Sequence, residues 1–171
     1  DHEYAFVAET QFCQAIRGMA PMQEFRIDGW KLICDPGRTR EAYIGSSRGA
    51  HVCPCNSCRN FLAVRDDFYP SSLLGLLDSL GINKHKEAEV YEMGAKGKGR
   101  LYGGWYHFIG RVVADPGRPT LLTGEEPKRA AWEILFLQKS DLAFETFETP
   151  ELVQLEFLVE LPWRLKSPPN R

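Results

Sequence analysis

Val153, Leu155, Phe157, Val159 and Leu161 alternate with Gln154, Glu156, Leu158 and Glu160. A period of two is the mark of a strand with one face in the core and one mostly wet. Pro162 ends it. The run 132–137 is rich in aromatic and branched residues and reads as another strand. Glu89-Val90-Tyr91-Glu92-Met93 and Gly104-Trp105-Tyr106-His107-Phe108-Ile109 flank a Gly/Lys loop, which predicts a long hairpin. Nearer the start, Asp28-Gly29 separates Glu24-Phe25-Arg26-Ile27 from Trp30-Lys31-Leu32-Ile33. Asp-Gly between two β-prone runs predicts a tight hairpin, because both central residues of a type I′ turn need positive φ. Asp35-Pro36-Gly37 closes the second strand, and Ala42-Tyr43-Ile44 reads as a further short one.

Helical spacing appears in three places. Phe12, Cys13, Ile16 and Met19 share a face over 9–19, and Pro21 breaks that segment. Asn56 or Ser57 can cap a helix running through Leu62-Ala63-Val64. A second begins near Pro70, carries leucines at 73, 74, 76, 77 and 80, and stops at Gly81 as a left-handed C-cap would. Strands, then helices, then strands predict an α+β fold. It is mainly an antiparallel sheet with two or three short helices on one side. Residues 1–165 are read as one domain and 166–171 as a disordered tail.

Lys31-Leu32-Ile33-Cys34-Asp35-Pro36-Gly37-Arg38 and Arg111-Val112-Val113-Ala114-Asp115-Pro116-Gly117-Arg118 echo each other. A duplicated unit would produce this, and so would a favoured turn sequence used twice.

Composition narrows the class. Of 171 residues, 43% are hydrophobic and 26% charged, which excludes global disorder. A net charge of −2 gives no long-range attraction to nucleic acid or an anionic membrane, so neither is an expected partner. No run approaches the ~18 apolar residues of a membrane span, and the first twenty residues show no secretory pattern. Three of the five cysteines crowd into Cys53, Cys55 and Cys58. Small secreted domains spread paired cysteines along the chain, so a reducing cytoplasm is expected.

The cysteine cluster His51-Val52-Cys53-Pro54-Cys55-Asn56-Ser57-Cys58 is the sharpest chemical feature. Thiolates two to four residues apart can ligate one zinc ion. Strong zinc signatures hold two such pairs, however, and here a fourth ligand would have to come from Cys34, His51, His85 or His107. Cys55 and Cys58 also form a Cys-x-x-Cys pair at an expected helix N-terminus, where thiol pKa falls. The βαβ context of a thioredoxin-like motif is missing. Three reduced cysteines that merely pack a helix start are the remaining reading.

Other candidates carry less. The basic loop Gly94-Ala95-Lys96-Gly97-Lys98-Gly99-Arg100 lacks the P-loop order, so Lys96 and Lys98 read as a hairpin tip open to an anion or partner. Tyr102-Gly103-Gly104-Trp105-Tyr106-His107-Phe108 surrounds a histidine with aromatics. His107 could carry a proton or join the thiols, while Tyr102 and Trp105 could line a ligand or partner surface. Asp141, Glu145, Glu148, Glu151, Glu156 and Glu160 form an acidic stretch free of basic residues, suited to solvent or a partner protein. No Gly-x-Ser-x-Gly elbow, His-Glu-x-x-His or dinucleotide fingerprint is present.

At Cys58-Arg59-Asn60-Phe61 and Gly103-Gly104-Trp105-Tyr106-His107-Phe108-Ile109-Gly110 the chain resembles a small family of uncharacterised bacterial proteins. The likeness touches Leu80-Gly81-Ile82 and Glu89-Val90-Tyr91 as well. It implies a bacterial source and supplies no mechanism. The leading functional expectation is a non-enzymatic binding or interaction protein of the bacterial cytoplasm, with no obligatory cofactor. The alternative is a thiol-redox or zinc-stabilised protein built on Cys53, Cys55 and Cys58, with His107 as companion.

Overall fold

The computed structural model describes residues 22–125 and 130–169. The helix expected over 9–19 lies outside them. The fold is α+β: seven antiparallel strands in one sheet, with three α-helices among the described residues.

Strands β1 (Gln23–Ile27) and β2 (Trp30–Cys34) form the expected Asp-Gly hairpin, with Asp28 at φ 45° and Gly29 at φ 91°. Helix α1 (Pro36–Gly45) follows. A 3₁₀ turn (Ala50–Val52) leads to α2 (Asn56–Phe68) and α3 (Ser71–Ser79). Then come β3 (Glu89–Lys96), β4 (Gly99–Ala114), β5 (Thr120–Thr123), β6 (Ala131–Leu137) and β7 (Leu152–Leu161). The sheet order is β1-β2-β4-β7-β6-β5, with β3 also on β4.

One expectation is corrected. Ala42-Tyr43-Ile44 lies in α1, not in a strand. The Asp35 side chain accepts a hydrogen bond from Arg38 N at 3.0 Å, and Pro36 supplies a pre-set first turn. After β4 the same Asp-Pro-Gly-Arg sequence makes a turn: Asp115 accepts from Gly117 N at 2.7 Å, Gly117 sits at φ 71°, and Arg118 grips Asp28 with both guanidinium nitrogens. The two echo segments are thus adjacent antiparallel strands whose turns diverge.

The core lies between the sheet and the α2–α3 layer. Val153, Leu155, Phe157, Val159 and Leu161 are all buried, as their alternation predicts. Trp132 and Phe61 pack on Phe157, and Tyr69 stacks on Trp132. Helix α3 ends in a Schellman motif: Ile82 N donates to Leu77 O at 2.8 Å and Gly81 N to Asp78 O at 3.0 Å. Gly81 holds φ 76°, and a Cβ there would run into the Pro36 carbonyl, so this stop also seats α3 against α1.

The opposite sheet face is covered in part by the segment between β6 and β7. There Phe144 and Phe147 are buried against Tyr43, and Phe147 against His107. This cover explains why Gln154, on the side expected to be wet, is buried. The stretch expected as a tail is held as far as Pro168, whose carbonyl accepts from Asn56 Nδ2 at 2.9 Å.

Candidate metal centre

The chain approaches the cysteines along 46–52, and two residues from the segment between α3 and β3 fix that path. Lys86 Nζ donates to the carbonyls of Tyr43 and Ser46 at 2.5 and 2.6 Å. Glu87 accepts from Ala50 N at 3.4 Å. Gly49, at φ 152°, leaves no room for a Cβ between His51 and the His85 carbonyl. Helix α2 then starts at Cys55, whose own sulfur caps it by accepting from Cys58 N at 3.4 Å. The expected caps, Asn56 and Ser57, are already inside the helix.

This local geometry gathers three thiols. The sulfurs of Cys53, Cys55 and Cys58 all lie within 4.8 Å of one another. Cys58 forms the buried floor, its sulfur 3.9 Å from the Val90 carbonyl on β3, while Cys53 and Cys55 are half-buried. Ser57 Oγ donates to Glu92 at 3.2 Å, and Glu92 pairs with Arg100, tying the helix start to the β3–β4 hairpin.

The thiols are not equivalent. Burial alone would raise Cys55. The Cys58 amide, the thiols of Cys53 and Cys58 and the Ser57 amide outweigh it, and its pKa is lowered. Cys58 is raised far above an ordinary thiol, first by burial and then by its two neighbours. Of these two, the more exposed sulfur is the readier thiolate, and the floor sulfur ionises only with compensation.

None of the four expected fourth ligands joins the group. Cys34 is buried on β2 with its sulfur on the Gln23 carbonyl. His51 is exposed in the 3₁₀ turn. His85 faces Arg65, with Nδ1 3.0 Å from Nη2. His107 is buried against Gln154, Nε2 to Oε1 3.2 Å, and burial lowers its pKa to about 4.

The aromatic and basic candidates scatter. Tyr102 is completely buried, its hydroxyl bonded to Asn60 and the Ser57 carbonyl, so it belongs to no surface. Trp105 lies on the other face, donates to the Asp141 carbonyl at 2.9 Å and packs on Tyr91. Lys96 and Lys98 flank the tip of the β3–β4 hairpin, beside an open depression of about 510 Å³. Glu160 reaches into that tip and accepts from Gly99 N at 3.1 Å.

Sequence reasoning missed the supports of the site. Arg65 and Glu87 form a buried ion pair, and Tyr106 donates to Glu87 at 3.3 Å. Glu87 sits in the polar run Lys84-His85-Lys86-Glu87, where nothing separates a buried carboxylate from a solvated one. Asn60, Gly103 and Gly104, from the segments that carry the resemblance, have architectural roles. Asn60 bonds Tyr102, the Pro162 carbonyl and Arg164 N. At Gly103 a Cβ would lie 2.6 Å from the Tyr91 ring, and at Gly104 the same distance from that of Phe157.

Comparison with protein-family models, curated proteins and solved structures finds no match.

Proposed function

We propose that this is a non-enzymatic metal-binding protein of the reducing bacterial cytoplasm, holding one zinc ion on the thiolates of Cys53, Cys55 and Cys58. The observation that carries this reading is the convergence of three sulfurs within 4.8 Å. In a tetrahedral site with Zn–S of about 2.3 Å, sulfurs stand roughly 3.8 Å apart. A movement of about an ångström closes this set around an ion. The amides at the start of α2 point at Cys55 and favour its thiolate before any metal arrives. A fourth position is left for solvent or an exogenous donor, since no other His, Cys, Asp or Glu among the described residues joins the group. As a dithiol catalyst, Cys55 and Cys58 would work with Cys53 crowding the same space, an arrangement that serves a metal better than a disulfide exchange.

Native mass spectrometry of protein purified without chelator, set against its denatured mass, tests this. One zinc per chain is expected, and its loss in Cys53→Ser and Cys58→Ser. A metal-free mass that does not change on adding zinc to the reduced protein would sink the reading.

A further inference from the structure

Charge and coordination number together narrow the ion. Three thiolates carry three negative charges into a site whose floor is buried. The hydrogen bonds at the Cys55 and Cys58 sulfurs run to backbone groups, the Cys58 amide and the Val90 carbonyl, and bring no positive charge. Glu92, hydrogen-bonded to Ser57 beside the cluster, is paired with Arg100. Zinc would leave a net charge of −1 beside the buried floor and one corner of its tetrahedron unfilled by the described residues. Residual charge in a half-buried site is costly. A trivalent ion that is complete with three sulfurs leaves neither the charge nor the vacancy, and soft thiolates favour soft ions.

We propose that the Cys53–Cys55–Cys58 site takes a three-coordinate trivalent ion of the arsenic–antimony class, bound from its hydroxide, in preference to zinc. This deepens the metal-site reading and rests on the same three thiols. With arsenous acid the step is an exchange without redox change. Three S–H bonds and three As–O bonds break, three As–S bonds form, and each thiol proton leaves with a hydroxide as water. Arsenic remains trivalent throughout.

The test is competition on the reduced full-length chain. Zinc-loaded protein is titrated with sodium arsenite and followed by native mass and by the sulfur-to-arsenic absorption in the ultraviolet. One arsenic per chain is expected, with three hydrogens lost and zinc released at about one equivalent. Each of Cys53→Ser, Cys55→Ser and Cys58→Ser should weaken arsenite binding by more than about tenfold. Zinc retained against excess arsenite would overturn the proposal and leave the zinc reading standing. Arsenic bound by protein that takes up no zinc would do the reverse. Equal arsenite affinity in Cys53→Ser would show a two-thiol adduct and overturn three-coordination. Cys13 lies outside the described residues, so Cys13→Ser is the control: a comparable loss there would make the site four-thiolate and overturn the proposal too.

Discussion

The hydroxyl of Tyr43 satisfies both backbone polar groups of His107, donating to its carbonyl at 2.8 Å and accepting from its N–H at 3.1 Å. Along this edge of β4, β3 pairs up to Trp105 and β2 begins at Gly110, so the residues between have no strand beside them. Helix α1 fills that gap with side chains. Thr39 Oγ1 takes the N–H of Ile109 at 3.0 Å, and Tyr43 takes His107. The helix substitutes for a missing stretch of strand, and both substituting side chains are buried.

Tyr43→Phe therefore leaves a buried N–H and a buried C=O without partners. Each costs about 1–3 kcal/mol. Urea unfolding should show a clearly lowered midpoint at unchanged slope. A loss under about 0.5 kcal/mol would mean that water takes over both bonds.

Glu87 is the hub under the cysteine approach, bonded to Arg65, Tyr106 and Ala50 N. Glu87→Gln strands a buried guanidinium and is expected to cost about 3–5 kcal/mol. The double variant Arg65→Met/Glu87→Leu, with no charge left to bury, should be more stable than Glu87→Gln. If the double is the worse of the two by chemical denaturation, the pair contributes net stability and the desolvation argument fails here.

His107 gives the fold a pH dependence. Burial holds its pKa near 4, below the usual 6.5, and the unfolded chain therefore binds more protons between those values. Its contribution to stability is complete above about pH 6.5 and is lost as pH falls toward 4, at up to about 1.4 kcal/mol per pH unit. The difference in unfolding free energy between wild type and His107→Gln should shrink across that window. A constant difference from pH 7 to 4.5 would place the titration elsewhere.

The lowered pKa of Cys55 and the raised one of Cys58 predict an order of alkylation. With iodoacetamide on metal-free protein at pH 7, Cys55 should be modified well before Cys58 by peptide mapping. Its rate should rise with pH from a midpoint below that of an unperturbed thiol. Modification of Cys58 at the same rate would show that the helix start opens readily.

Much of the architecture was legible because it rests on local rules. Asp28-Gly29 demands its turn, the alternation in 153–161 demands a half-buried strand, and Gly81 demands a left-handed stop. Helix α1 was not legible. It has no apolar stripe, since Thr39, Ala42 and Tyr43 are buried while Ile44 is 80% exposed. Its start signal, Asp35-Pro36-Gly37-Arg38, is the same tetrapeptide that makes a plain turn after β4. Tertiary contacts with β4 decide between the two outcomes. At the site, the cysteine spacing was visible, but the partners that hold it arrive through space from 32 or more residues away. Glu92 on β3 and Glu87 before it have no signature in a run of charged residues.

Removing an ion from the proposed three-thiolate site should loosen a corner of the molecule and leave the fold standing. A zinc site that supplies the folding energy would unfold with chelator. Here the core is complete without it: Trp132, Tyr106, Phe108, Leu155 and Phe157 are buried by the sheet and by α2–α3, and the cluster sits at the rim of that layer. The elements that an ion at the proposed site would brace are the 3₁₀ turn and the first turn of α2, reached from the core through Ser57–Glu92, Ala50–Glu87 and Cys58–Val90. Hydrogen exchange with and without chelator should therefore show faster exchange confined to about residues 50–59, with β4, β6 and β7 unchanged. Loss of protection across β4 and β7 on chelation would mean instead that the three thiolates hold the whole domain together.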